Sequence, residues 1–169
     1  MDTLEAIHTR RSIRCYTDEQ IEDGTIKKLL AAAMSAPSAA NEQPWEFIVI
    51  KDRTMLDAIP TFSPFASMVR DAPVGILICG DTRKAIVPGF WVQDCSAATQ
   101  NLLLAAHALG LGAVWTGVYP MEGHVAGFTK HCQLPEGVIP LAFVVVGYPA
   151  DTPAMQERFS EDRIHADVW

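Results

Sequence analysis

The sequence predicts one domain that mixes α-helices with β-strands, and three observations carry that expectation. Four short apolar runs, each bounded by Gly, Pro or Asp, read as strands. Amphipathic or apolar stretches of helical length lie between them. The chain has 169 residues, 49% hydrophobic and 20% charged, enough apolar material for one sizeable core. No G-x-G-x-x-G follows the first strand and no G-x-x-x-x-G-K-[ST] occurs, which excludes a dinucleotide-type Rossmann domain and a P-loop enzyme.

In chain order, Asp2-Thr3-Leu4-Glu5 has the form of a capping box and predicts a first helix from about Thr3 to Thr9. Asp23 is placed to cap a second helix that carries Ile26, Leu29, Leu30, Ala33 and Met34 on one face. Pro37 disfavours helical geometry at Ala36 and closes it, and a Pro37–Pro44 loop follows. Trp45–Ile50 reads as a strand and Arg53–Ile59 as a short helix. Pro60–Ala66 is an aromatic, proline-bearing connection. Val74–Cys79 is a buried strand stopped by Gly80-Asp81, and Thr82–Gly89 a loop. Trp91–Leu109 is the longest helical stretch, with Gly110 as its C′ residue. It is apolar around most of its circumference, so it must be buried on several sides. Gly112–Gly117 predicts a strand, Met121–His131 a weaker helix, Leu134–Gly137 a turn, and Pro140–Gly147 the strongest strand. The polar tail from Ala150 to Trp169 carries spaced apolar residues and orders only if it docks.

Against a net charge of −7, Arg10-Arg11-Ser12-Ile13-Arg14 gathers three guanidinium groups and a hydroxyl into five residues. Such a knot suits a particular anion, because a planar guanidinium donates two parallel hydrogen bonds to phosphate or carboxylate. In an extended chain Arg10, Ser12 and Arg14 share one side. The acidic balance offers no broad face to nucleic acid. Cys15, Cys79, Cys95 and Cys132 show no paired spacing, which fits a reducing cytoplasmic setting. The first residues lack the apolar core of a signal peptide, and no run reaches the length of a membrane span.

These landmarks, together with Ala108-Leu109-Gly110-Leu111-Gly112, Trp115-Thr116-Gly117, Val144-Val145-Val146-Gly147-Tyr148-Pro149, Arg158-Phe159, Ile164-His165 and a terminal Trp169, resemble the nitroreductase family of FMN-dependent oxidoreductases over nearly the whole chain and in the expected order. The resemblance implies a nitroreductase-like α+β fold, residues 1–169 forming one domain whose mostly antiparallel sheet is flanked by helices. It implies an intertwined homodimer with FMN at the subunit interface and a tail, about 150–169, that reaches over the partner. It implies phosphate contacts from Arg10, Arg11, Ser12 and Arg158, and a charge from Arg14 near the flavin N1–C2=O edge. Pro37, Ser38, Ala39, Asn41 and Gln43 would face the cofactor from the other subunit, and Thr116 and Gly117 would lie by N5. NADH or NADPH would donate electrons to a nitroaromatic, quinone or similar small acceptor in ping-pong order, with no catalytic side chain. Flavin storage or sensing with little turnover, or another flavin chemistry on the same fold, are the alternatives.

Other signals read as ordinary structure. His124, His131 and Cys132 lack a matching second pair and fit surface or helix-end roles rather than a metal. Phe90, Trp91 and Trp115 fit core or interface. Arg163 reads as a tail charge. The chain is a short form, with only Asp81–Phe90 between the second strand and the long helix; Thr116 stands where many relatives carry an acid, and Arg70 is the candidate for a mid-chain ring contact.

Overall fold

A computed structural model describes residues 1–169. Four strands, β1 (Trp45–Ile50), β2 (Val74–Asp81), β3 (Gly112–Gly117) and β4 (Val138–Gly147), form one sheet in the order β1-β2-β4-β3. Every strand pair is antiparallel. The apolar runs of β2 and β4 are continuous because both faces of these central strands are covered. Ile76, Ile78, Val144 and Val146 meet Leu29, Cys95 and Leu102 on one face. Leu77, Phe143 and Val145 meet Leu56, Ile59 and Phe128 on the other. The first layer is α2 (Asp23–Met34) with α4 (Trp91–Ala108); the second holds α3 (Arg53–Ala58), the 3-10 turns of residues 59–71, and α5 (Glu122–His131).

Local signals set several boundaries. In α1 (Thr3–Thr9) the Glu5 N–H donates to Asp2 at 2.8 Å, and the Asp2 N–H reaches back to Glu5 at 3.3 Å. Gly110, at φ 77°, ends α4: its N–H donates to His107 at 3.0 Å, and that of Leu111 to Ala106 at 2.8 Å, a Schellman closure.

Three expectations need correction. Glu22, not Asp23, occupies the N-cap of α2, and Asp23 instead pairs with Lys51 across the chain. Met34 lies half exposed, because the core-facing stripe ends at Ala33. β2 runs on through Gly80 and Asp81, since the ladder to Trp45 on one side and to Ile139 and Val138 on the other outweighs the turn signal. Trp91 packs where a Gly80 side chain would be, so glycine here serves packing rather than termination.

The arginine segment is stitched to the free edge of β3 near its start and to the chain just beyond β4. Ile13 N–H donates to Ala113 at 3.0 Å, and Thr17 N–H to Tyr148 at 2.9 Å. Ile13 and Tyr16 turn into the core, which sends Ser12 and Arg14 to the opposite side of the strand-like segment.

Candidate functional site

Arg10 is the C-cap of α1, so the helix end fixes where the cluster begins. Arg11 folds back and donates through Nη1 to the carbonyls of His8 at 2.9 Å and Arg10 at 2.7 Å. That leaves Arg11 Nε and Nη2, and Arg10 Nε, buried without a partner. Buried polar groups are rarely orphaned, and a buried guanidinium without an anion is the costlier case. The tail brings Arg158 to the same place: Arg10, Arg11 and Arg158 line one cavity of about 840 Å³, with Glu157 and Phe159 on its wall. Burial, then the charges of Arg158 and Arg11, hold the Arg10 pKa below its ordinary value. The guanidinium stays cationic regardless. The site concentrates positive charge and unused donors, as a phosphate requires. Arg14 is exposed, and Ser12 is half-buried.

The Pro37–Pro44 loop is held in an uncommon conformation. Ala40, Asn41 and Gln43 have φ of 48°, 54° and 46°. Each non-glycine residue there costs roughly 1–2 kcal/mol, so surrounding contacts must over-determine the loop. Gln43 N–H donates to Ser38 Oγ at 3.1 Å, and Gln43 Nε2 to Asn41 Oδ1 at 3.0 Å. Ser38 thus keeps its hydroxyl proton, and Asn41 its amide protons, for an outside acceptor. Pro37, Asn41 and Gln43 are exposed, while Ser38 and Ala39 are half-buried. Two residues that sequence reasoning passed over do the anchoring. Ala39 N–H donates to Asp94 Oδ1 at 2.9 Å, and Glu42 Oε2 accepts from Ile86 N–H at 2.6 Å and Val87 N–H at 3.0 Å. An acid inside the apolar first turns of α4 was the one signal the sequence offered.

Gly117 lies at the far end of β3, about 17 Å from Gly112, where the arginine segment attaches. It is exposed, and an added Cβ would meet only Met121 Cε at 3.6 Å, so its outer side is open. Thr116 is buried and donates its hydroxyl proton to the Phe143 carbonyl at 2.7 Å, leaving only its main chain for a ligand. His124 Nδ1 donates to the Gly117 carbonyl at 3.3 Å, and Phe65 packs edge-on against that imidazole at 6.0 Å. Trp91 and Tyr119 meet edge to face nearby, at 5.0 Å.

The structure does not bring every candidate together. Arg70 lines a different groove, with Arg53, Asp18 and Gln20. Within one chain the Pro37–Pro44 loop is moored to Asp94 at the start of α4, whereas the arginines sit by His107 at its end, about 20 Å along the helix. His131 bonds the Met55 carbonyl at 3.0 Å, and no three His, Cys, Asp or Glu side chains come close enough to hold a metal. No helix is long and apolar enough to cross a membrane.

A family model described as Nitroreductase family matches residues 7–62 and 63–148. A protein of Methanothermobacter thermautotrophicus, provisionally named NADH dehydrogenase/NAD(P)H nitroreductase, is 54% identical over 169 residues, which is 100% of this chain and 88% of that protein. The crystal structure of a protein from Parabacteroides distasonis with the same provisional name superposes with a TM-score of 0.95 at 43% identity, covering 99% of this chain and 98% of that one. A provisional nitroreductase from Desulfovibrio desulfuricans, solved in complex with FMN, gives a TM-score of 0.89 at 34% identity over 100% of this chain and 99% of that one.

Proposed function

This chain belongs to the nitroreductase family, and on that premise we propose that it is an FMN-dependent oxidoreductase that draws electrons from NADH or NADPH and passes them to a nitroaromatic, quinone or similar electron-poor acceptor. The observation that carries the cofactor assignment is the set of partnerless buried nitrogens on Arg10 and Arg11 beside Arg158. A phosphate monoester, with about −1.5 to −2 charges and three acceptor oxygens, satisfies those donors and relieves the mutual repulsion of the arginines. Bound FMN would supply the redox chemistry, accepting hydride from the nicotinamide and delivering electrons onward.

The chain's own groups bind and orient. Arg10, Arg11, Ser12 and Arg158 would hold the phosphate. Beyond Ala113, where the arginine segment leaves it, the edge of β3 would run beside the rest of an elongated cofactor, towards the exposed Gly117. Arg14, on the same side as Ser12, would place a fixed positive charge at the ring's N1–C2=O edge and favour its reduced, anionic form. Pro37, Ser38, Ala39, Asn41 and Gln43 would meet the ring from a second protomer. A homodimer fits the exposed apolar residues on α1 and the tail: Leu4, Ile7, Phe159, Ile164, Val168 and Trp169. Residues 1–169 then act as one domain, with residues 150–169 reaching over the partner. Donor and acceptor would take turns at the same open position by Gly117, which gives ping-pong kinetics.

The test is direct. The purified protein should be yellow or take up added FMN, and should bleach promptly with NADH or NADPH under anaerobic conditions. A colourless preparation that ignores FMN overturns the reading. A second reading, a flavin carrier or sensor with little turnover, is favoured by the short Thr82–Phe90 connection between β2 and α4, which carries only a single 3-10 turn and so adds little to cover a site. Bound flavin that neither nicotinamide bleaches would establish it instead.

A further inference from the structure

Glu42 and Asp94 are the two acids that the core encloses most awkwardly. They are 8% and 4% exposed. Each has one oxygen well served: Glu42 Oε2 takes two main-chain N–H donors, from Ile86 and Val87, and Asp94 Oδ1 takes one, from Ala39. Each has its other oxygen, Glu42 Oε1 and Asp94 Oδ2, buried with no donor. Both acids are acceptor-only when ionised, so two adjoining carboxylates can satisfy neither orphan. One proton satisfies both.

We propose that Glu42 and Asp94 share a single proton, carried on Asp94 Oδ2 and donated to Glu42 Oε1, and that this acid pair is the clasp that presents the strained Ala39–Gln43 turn to the cofactor. The proton settles on Asp94 because Glu42 has the extra N–H donor, which favours its ionised form. The pair keeps one negative charge instead of two, which a buried site tolerates far better. The electrostatic directions agree: burial and then Glu42 push the Asp94 carboxyl up, whereas the Val87 N–H holds Glu42 down against its burial. The further titratable group in their field is Cys95, whose thiol burial pushes up to about 12, so it stays protonated.

Three segments meet at this proton: the Pro37–Pro44 loop through Ala39 and Glu42, the Thr82–Gly89 loop through Ile86 and Val87, and α4 through Asp94. Ala40, Asn41 and Gln43 flank Glu42 in left-handed conformations. With Glu42 turned inward and held, Asn41 and Gln43 turn outward. Losing the proton sets two charges against each other behind a loop that already stores strain. Glu42 and Asp94 are therefore positioning residues. The shared proton stands on the two orphaned buried oxygens and on the turn that brings both acids to Ala39, whose N–H donates to Asp94 and whose carbonyl accepts from the Glu42 N–H at 2.9 Å, whereas its consequence for FMN rests on the function proposed above.

Infrared difference spectroscopy of the FMN-loaded protein against its Asp94→Asn variant tests the proton, and the subtraction cancels the flavin carbonyls. At neutral pH the native protein should show a protonated-carboxyl stretch that shifts in D₂O and is missing from the variant. No such band, or a band that survives Asp94→Asn, overturns the shared proton in favour of a bridging water or cation. FMN titrations against pH then test the clasp. Asn can accept from Ala39 and donate to Glu42, so Asp94→Asn should bind FMN within about twofold of native near neutrality and should lose the alkaline fall in affinity that native protein shows as the band disappears. Asp94→Val leaves Glu42 Oε1 unanswered and should weaken FMN about tenfold or more. A band present with FMN affinity indifferent to pH and to Asp94→Asn and Asp94→Val overturns the clasp while leaving the proton. FMN affinity that also ignores Arg10→Ala shows instead that the cofactor site lies elsewhere.

Discussion

Thr9 Oγ1 stands 2.7 Å from His107 Nε2 while it donates its own proton to the Glu5 carbonyl at 2.6 Å. A hydroxyl has one proton to give, so His107 must carry hydrogen on Nε2 and donate it, and Nδ1 is left bare in the neutral ring. This contact joins the last turn of α4 to the helix end from which the arginine cluster departs. Burial first, then the charges of Arg10 and Arg11, keep the His107 pKa below its ordinary value.

The unfolded chain protonates this histidine near pH 6.5, its unperturbed value, and the folded chain does so only at lower pH. Unfolding then takes up a proton, and stability is lost as pH falls below about 6.5 until the folded pKa is passed. A phosphate beside Arg10 and Arg11 reverses the local field and makes the ring more basic. The phosphate itself titrates near pH 6 and gives up a proton to become the dianion among arginines, so the histidine's share is read as a difference: near pH 6 native protein should take up more protons on binding FMN than His107→Gln does, with no difference near pH 8, measured by calorimetry in buffers of different ionisation enthalpy. Equal proton exchange in the two proteins at the lower pH would place the phosphate away from His107.

Arg10→Ala removes a donor whose charge is repelled by Arg158 and Arg11 until an anion arrives. The expected loss in FMN binding is about 1.5–3 kcal/mol, with the melting temperature of the FMN-free protein unchanged or slightly raised. Arg158→Ala should weaken FMN as well, and the double variant should be non-additive by about 0.5–3 kcal/mol if both side chains grip one phosphate. Strict additivity would separate the two arginines.

Gly112→Ala probes the seat of the cluster. A Cβ at Gly112 would lie 2.7 and 2.8 Å from Ile13 Cγ2 and Cβ, and Ile13 Cβ cannot swing clear without moving the main chain between Arg11 and Arg14. Overpacking of this kind costs about 1–3 kcal/mol, or a melting temperature lower by about 2–4 °C per kcal/mol. FMN affinity should fall with it. A variant that melts and binds as native would mean that the segment yields freely.

Initial rates measured at several fixed acceptor concentrations against NADH or NADPH should give parallel double-reciprocal lines. Intersecting lines would require donor and acceptor to be bound together, and the single position at Gly117 would then be insufficient.

Light scattering should report about twice the 18.5 kDa protomer mass. Ile7 is exposed on α1 and lines the arginine cavity, so Ile7→Glu should shift the mass towards one protomer and weaken FMN together. A monomeric native protein with full FMN affinity would remove the second protomer from the site.

The sequence by itself determined what is written within a few residues of itself. Asp2 with Glu5 fixed the start of α1, Gly110 the end of α4, and the uninterrupted apolar runs the two central strands. The same locality made the arginine cluster conspicuous, and with the loop before Trp45 it made the family legible. Tertiary structure decided what depends on partners far along the chain. It sent Asp23 to Lys51 instead of its own helix, carried β2 past Gly80 on a ladder to two neighbours, and tied Thr116 to Phe143. It also set Asp94 beneath the Pro37–Pro44 loop and His107 behind Thr9. Local propensity and spacing act over a turn or two of chain. Burial, which strips water from a carboxylate or an imidazole and so sets where its proton rests, is a property of the packed layers and exists only once they have closed.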